Sequence, residues 1–278
     1  MSEAEQISRT ATPITRDSLV ADLLTLGVKP GETLLVHSSL RALGWVNGGA
    51  VAVVQALLDA IGPDGTLVMP AHSTDLTDPR HWQAPPVPAD WQQTIRDTMP
   101  AFEPAITPTR QMGRIAELFR TWPGALRSGH PALSFAALGP LAAEITGRHD
   151  LADPFGEHSP LGALYELGAR TLLIGVGFDR CTALHFAERR AFPDAPQITE
   201  GAPILVDGRR QWVQFETPSI MDSDAFLPVG LEAIERELAR TGPLGAGEGI
   251  LADMKSLVDH AFEVWTQAGL HNSLFMQR

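Results

Sequence analysis

Between Asp179 and Glu188 the chain reads DRCTALHFAE, and this stretch carries the residue types best suited to chemistry. On a helix beginning near Cys181, His185 and Glu188 stand three apart on one face, with Thr182 as a suitable N-cap. An imidazole so placed can accept a proton near neutral pH, as an amine requires when it attacks a thioester. The same residues admit other readings. Cys181 and His185, four apart, have the spacing of a nucleophile and its base, although a helix turns both outward and no orienting Asn stands nearby. A His-x-x-Glu metal site needs a third ligand that the sequence does not nominate. A histidine here also suits a plain core role, bridging backbone groups.

A second constellation is Gly44-Trp45-Val46-Asn47-Gly48-Gly49. Its glycines let backbone N–H groups approach a ligand, and a helix starting after them presents its positive end to an anion such as a diphosphate. It is neither a Walker loop nor G-x-G-x-x-G, and taken alone a tight turn accounts for it better than an anion site does. His37, at the end of an apolar run, could line the same cleft or donate a structural hydrogen bond. Asp75, Asp78, Glu103 and Glu188 are carboxylates able to hold ammonium groups, though isolated carboxylates are more often solvated.

The elements that must position these groups follow from periodicity. Residues 16–27 carry an apolar stripe at Leu19, Leu23, Leu24 and Leu26 and read as a helix. Thr33 to His37 reads as a buried strand, Ala50 to Ile61 as a helix and Thr66 to Met69 as a second strand. Strand, loop, helix, strand is the local signature of a parallel sheet covered by helices. The pattern returns with a strand at Arg170–Val176, a loop at Gly177–Arg180 and a helix at Cys181–Arg190. The chemistry of the second unit therefore falls at the carboxyl edge of a sheet, where open α/β folds bind ligands. Residues 75–110 form a Pro-rich stretch that Trp82, Trp91 and Phe102 argue to be ordered, and a loop of that length is commonly functional. Residues 204–215 read as a hairpin about Asp207-Gly208. Helices are expected from there to the end, around a GPLGAGEG turn at 242–249. The 278 residues suit a single domain spanning 1–278, with no repeat and no linker.

Composition bounds the partners. Thirty-three Asp and Glu against 21 Lys and Arg give a net charge of −12, with Lys29 and Lys255 the only lysines. Nucleic acid is excluded as the main partner, because phosphate contacts need clustered cations; an acidic surface suits a cationic substrate. One cysteine rules out an internal disulfide and a cysteine metal site. No apolar run approaches a membrane span and the N-terminal segment has no apolar signal region, so a cytoplasmic chain with no membrane partner is expected.

The segments LLVHSSLRALGWVNGG (34–49), DPRHWQAPPVPADW (78–91), AFEPAITPTRQMGRIAELFR (101–120), SGHPALSFAALGP (128–140), HSPLGALYELGARTLLIGVG (158–177) and TALHFAE (182–188), taken in order, resemble the aminoglycoside 3-N-acetyltransferase family across nearly the whole chain. The resemblance implies an α/β fold distinct from the GNAT acetyltransferases, with a central mixed, largely parallel sheet flanked by helices. It implies acetyl-CoA as co-substrate with no metal, and direct transfer of the acetyl group to the 3-amino group of a 2-deoxystreptamine aminoglycoside, conferring resistance. The family also includes members acting on non-antibiotic amines. His185 matches the catalytic histidine of the T-x-L-H-x-A-E motif, and an acidic residue after the hairpin is expected to orient it: Glu216 first, then Asp222 or Asp224. The coenzyme would be held by His37, Ser38, Ser39, Leu40, Arg41, Gly44, Val46, Gly48, Gly49, Thr109, Gly113, Ser134, Phe135 and Ala136. Asp75, Asp78, Trp82, Glu103, Thr182 and Glu188 would face the amine substrate. Backbone N–H groups of the glycine loop or of Thr182 are the expected oxyanion donors. The assembly is expected to be a monomer or homodimer. The chain departs from the family at Cys181, where Asn is frequent.

Overall fold

The computed structural model describes residues 3–267. The chain opens with helix α1 (Glu3–Arg9) and α2 (Arg16–Leu26), then β1 (Thr33–Ser38), α3 (Gly49–Ile61), β2 (Thr66–Pro70), α4 (Gln92–Thr98) and α5 (Gly113–Arg120). It continues through β3 (Leu126–Arg127), β4 (Phe135–Leu138), α6 (Ala142–Thr146), α7 (Pro160–Glu166), β5 (Arg170–Ile174) and α8 (Ala183–Ala191). The last third holds β6 (Gln197–Val206), β7 (Arg209–Pro218), α9 (Phe226–Glu235), β8 (Ala239–Leu244), β9 (Gly247–Asp253) and α10 (Met254–Gln267).

Seven strands form one mixed sheet in the order β3-β4-β2-β1-β5-β9-β8. Its centre, β2-β1-β5, is parallel, and antiparallel strands extend it at both edges. Side chains alternate across each strand: Leu34 and Val36 enter a core with α2, α3 and α5, while Leu35 enters a second core with α6 to α10. Helices thus cover both faces, as the strand–helix–strand signature required. No helix among the described residues is long and apolar enough to cross a membrane.

Two expectations change. A turn does fall within 242–249, at Gly245-Ala246, but the segments flanking it, expected to be helical, are an antiparallel strand pair, β8 with β9. Helical periodicity is weak there because four glycines interrupt it. The hairpin at Asp207-Gly208 is present but longer, each arm having ten residues, in a separate two-stranded sheet. The 75–110 stretch is ordered by three short 3-10 turns and α4. It is bonded to the hairpin through Phe102 N–H to Pro203 O and Asp78 N–H to Glu200 Oε2.

Candidate active site

Because β1, β2 and β5 run parallel, their carboxyl ends emerge together, and the chain leaves β1 and β5 on opposite sides of the crevice between them. Gly175, just beyond β5, has φ +60°, and a Cβ there would collide with Ala42. That close approach lets the loop into α8 lie against the turn after β1. A cavity of about 910 Å³ opens at this edge, within the size range of small-molecule sites.

At its floor stands His185, on the first turn of α8. Its Nδ1 lies 2.7 Å from Glu188 Oε2, the i,i+3 partner on the same helix. Glu188 is only 2% exposed, and its other oxygen accepts the backbone N–H of Met221. The carboxylate fixes the tautomer: Nδ1 carries the hydrogen and Nε2 keeps its lone pair. Among the described residues Nε2 has no hydrogen-bond partner. The imidazole is stacked on Phe155 at 4.7 Å with an interplanar angle of 6°, and Phe226 meets it edge-on at 4.8 Å. Two aromatic walls and one carboxylate hold the ring in a single orientation, with a basic nitrogen available in a cavity wall.

The partner of His185 is therefore Glu188, not Glu216, Asp222 or Asp224. Glu216 lies on β7, bonded to Thr199 across the hairpin. Asp222 caps a short 3-10 turn by accepting from the N–H of Asp224. Both are exposed. The sequence placed the two true partners side by side, but a helical pair is easily taken for surface charge, and Met221, the residue that locks Glu188, is distant in sequence.

Of the residues expected at the coenzyme site, His37, Ser38, Ser39, Leu40, Arg41, Gly44, Val46, Gly49 and Gly113 line the cavity. Gly48 instead borders a separate depression with Asn47. Thr109 is turned away, donating to Glu117, and Ser134 donates to Ala71 O. Phe135 and Ala136 are buried in β4. Ser134 also accepts from Arg127, a largely buried guanidinium that gathers Ala71 O, Thr107 O and Ser73 Oγ. Its pKa is pushed down to about 10 by burial. Arg127 ties the 104–110 segment to the end of β2.

The expected amine-binding carboxylates fare worse. Asp78 is fully buried between Arg80 and Arg96, which hold its carboxyl at about 2 against the opposing effect of burial. Asp75 pairs with Arg110, and Glu103 is exposed with its backbone turned into a local loop. Trp82 donates to Thr77. None of these, nor Glu188, reaches the cavity. Thr182 does, and its backbone N–H is already donated to His37 Nε2 at 3.1 Å, which removes it as an oxyanion donor. Residues missed by sequence reasoning include Phe155, Phe226, His72 and Arg114. Arg114 alone had a local signal, since it follows Gly113 at the start of α5.

Cys181 is 1% exposed in the apolar core, and burial pushes its thiol up to about 12. A thiol so protonated is no nucleophile at neutral pH. Among the described residues no cluster of three His, Cys, Asp or Glu stands together as a metal site would need.

A carboxylate-oriented imidazole in a crevice at a strand-order reversal, rimmed by Arg41, Arg114 and Arg180, is the arrangement of an acyltransferase with an anionic co-substrate. Residues 35–266 match the family model described as aminoglycoside 3-N-acetyltransferase, and the chain belongs to that family of acyltransferases. It is 44% identical over 261 residues to the SPbeta prophage-derived aminoglycoside N(3')-acetyltransferase-like protein YokD of Bacillus subtilis, covering 93% of this chain and 94% of that one. The crystal structure of YokD superimposes with a TM-score of 0.93 at 41% identity, over 97% of this chain and 99% of that chain. AAC-IIIb, solved as a binary complex with CoASH, gives 0.81 at 30% identity over 92% and 98% of the two chains. AAC-VIa bound to sisomicin gives 0.82 at 32% identity over 93% and 99%.

Proposed function

We propose that this protein transfers the acetyl group of acetyl-CoA directly to an amine, with His185 as general base, and that its substrate is the 3-amino group of a 2-deoxystreptamine aminoglycoside. The observation that carries this is the His185–Glu188 pair with a free Nε2 in a cavity wall. The CoASH and sisomicin complexes of relatives support both halves of the substrate assignment.

The cavity suits the co-substrate. Arg41, Arg114 and Arg180 supply cations for phosphates, and Gly49 opens the 13-residue helix α3 with its positive end toward the cavity. Bound there, acetyl-CoA supplies an activated acetyl carbonyl. His185 Nε2 takes the proton that the amine loses as it attacks, and Glu188 stabilises the imidazolium through Nδ1–H. Met221 N–H holds the second oxygen of Glu188, so the carboxylate cannot rotate away. Phe155 and Phe226 exclude water from two sides of the ring.

A less cationic, non-antibiotic amine is a second reading favoured by one observation: among the described residues, Glu3 and Asp179 are the only carboxylates lining the cavity. Thiol release from acetyl-CoA, measured against aminoglycosides and simpler amines, separates the two. The expected result is release with aminoglycosides, abolished in His185→Ala while acetyl-CoA still binds. No release with any amine sinks the transferase assignment, and near-normal turnover in His185→Ala sinks His185 as its general base.

A further inference from the structure

Between α6 and α7, residues 147–159 form neither helix nor strand, yet they deliver one wall of the site. Phe155 is 3% exposed, and its ring lies face to face with the His185 imidazole, 4.7 Å between centroids and 6° from parallel. Backbone without a ladder must be held in place by side chains. Pro154 O can only accept, so His149 Nε2, 2.8 Å away, carries the hydrogen and Nδ1 the lone pair. Ser128 Oγ lies 2.8 Å from that Nδ1; it already accepts the Phe135 N–H, which leaves its own hydrogen to give. A continuous chain of bonds thus runs from the β3–β4 edge of the sheet, through Ser128 and His149, to the peptide that joins Pro154 to Phe155. On its other flank the segment is tied to α8 by Asp153 and Arg189 at 2.9 Å. Neither Ser128 nor His149 lines the cavity, so contact with a substrate does not account for them.

We propose that the face of Phe155 stabilises the positive charge that His185 gains on taking the amine proton, and that His149 is the positioning residue that keeps this face against the imidazole. The inference rests on the acetyl-transfer reading above and adds to it an electrostatic partner for the base. An aromatic face carries the negative end of the ring quadrupole and attracts a cation within about 6 Å, most strongly where water is excluded. A neutral imidazole gains little from it. The attraction therefore grows as the proton arrives, and an interaction stronger in the transition state than in the ground state raises the rate. Glu188 acts in the plane of the imidazole, through Nδ1–H, and Phe155 acts across its face, so neither replaces the other. The amine nitrogen bonds to the carbonyl carbon as its proton passes to His185 Nε2. The carbon–sulfur bond then breaks, and that proton leaves on the CoA thiol. Phe155 and His149 exchange no proton at any stage.

Fluorinated phenylalanines at position 155 test the charge directly, because successive ring fluorines weaken the negative face stepwise with little change in shape. The readout is the single-turnover rate of acetyl transfer from bound acetyl-CoA to the amine, beside the Kd for CoA. That rate should fall with each fluorine, by about 3–30-fold over the series, with the Kd unchanged. Packing alone would leave the rate flat. His149→Asn is too short to reach Pro154 O, whereas His149→Gln places an amide N–H near the Nε2 position. His149→Asn should lose a similar factor, and its rate should no longer respond to fluorination at 155; His149→Gln should restore much of both. A rate that ignores fluorination overturns the role of Phe155. A His149→Asn enzyme with the wild-type rate and fluorine response overturns the role of His149. In both cases the transferase reading stands, whereas a wild-type protein with no turnover on any amine overturns that reading too.

Discussion

Acidification to pH 5 should cost this protein a large part of its stability, through histidines rather than carboxylates. His37 and His130 have pKa values pushed down to about 3 and His149 to about 4, in each case chiefly by burial; His72 is shifted in the same direction. Their hydrogen bonds require the neutral form. His149 accepts from Ser128 at Nδ1 and donates to Pro154 O, while His130 Nδ1 accepts two backbone N–H groups. In the unfolded chain each protonates near 6.5, so below that pH the unfolded state binds more protons and stability falls as pH falls. Stability is complete above about pH 6.5 and drains away toward the folded pKa values. At pH 5 each of the three costs about 2 kcal/mol, about 6 together, with a slope near 4 kcal/mol per pH unit. A typical domain has only about 5–15 kcal/mol in total. The arginine-paired carboxyls of buried Asp78 and partly exposed Glu117, held at about 2, contribute their own acid sensitivity only at lower pH. Urea melts followed by tryptophan fluorescence at intervals from pH 7.5 to 5 measure the slope, with constant m-values as the check on two-state behaviour. His149→Gln should lower that slope by about 1.4 kcal/mol per pH unit, whatever it does to stability at pH 7.5. A flat profile between pH 7 and 5 would refute the reasoning.

Glu188→Gln should reduce kcat by about 10³–10⁴-fold with little change in KM, because the amide cannot accept from both His185 Nδ1–H and Met221 N–H and the imidazolium loses its counter-charge; steady-state kinetics decide it, and a loss under tenfold would count against the pair. Cys181→Ala should leave kcat within about threefold, since a thiol raised to about 12 has no nucleophilic part to play, whereas loss of turnover would revive the cysteine mechanism. Gly175→Ala should destabilise by about 3 kcal/mol or more, combining a positive φ with overlap against Ala42, and a thermal melt measures it.

Much of this molecule was legible before its structure. The buried strands at Thr33 and Arg170, the helix bearing His185 and the long ordered loop follow from periodicity and turn chemistry, which are local. What failed depends on distance in sequence. Glu188 looked like a surface carboxylate because its lock, Met221, lies 33 residues on. Asp78 looked available until Arg96 folded over it. The β8–β9 pair was hidden because glycines erase the helical pattern without announcing a strand. The aromatic clamp on His185 joins Phe155 and Phe226, from either side of it in the chain, and no spacing rule connects them.

Strand β1 ends on His37 and Ser38, and alternation sends these neighbours to opposite faces of the sheet. One strand terminus therefore supplies two walls of the same chamber. Point substitutions upstream in Thr33–Val36 leave that arrangement intact so long as the cores stay filled. Insertion or deletion of a single codon there would swap the two walls at once, turning the imidazole toward α3 and the hydroxyl toward α8. This gene segment should accept changes of spelling while its length stays fixed.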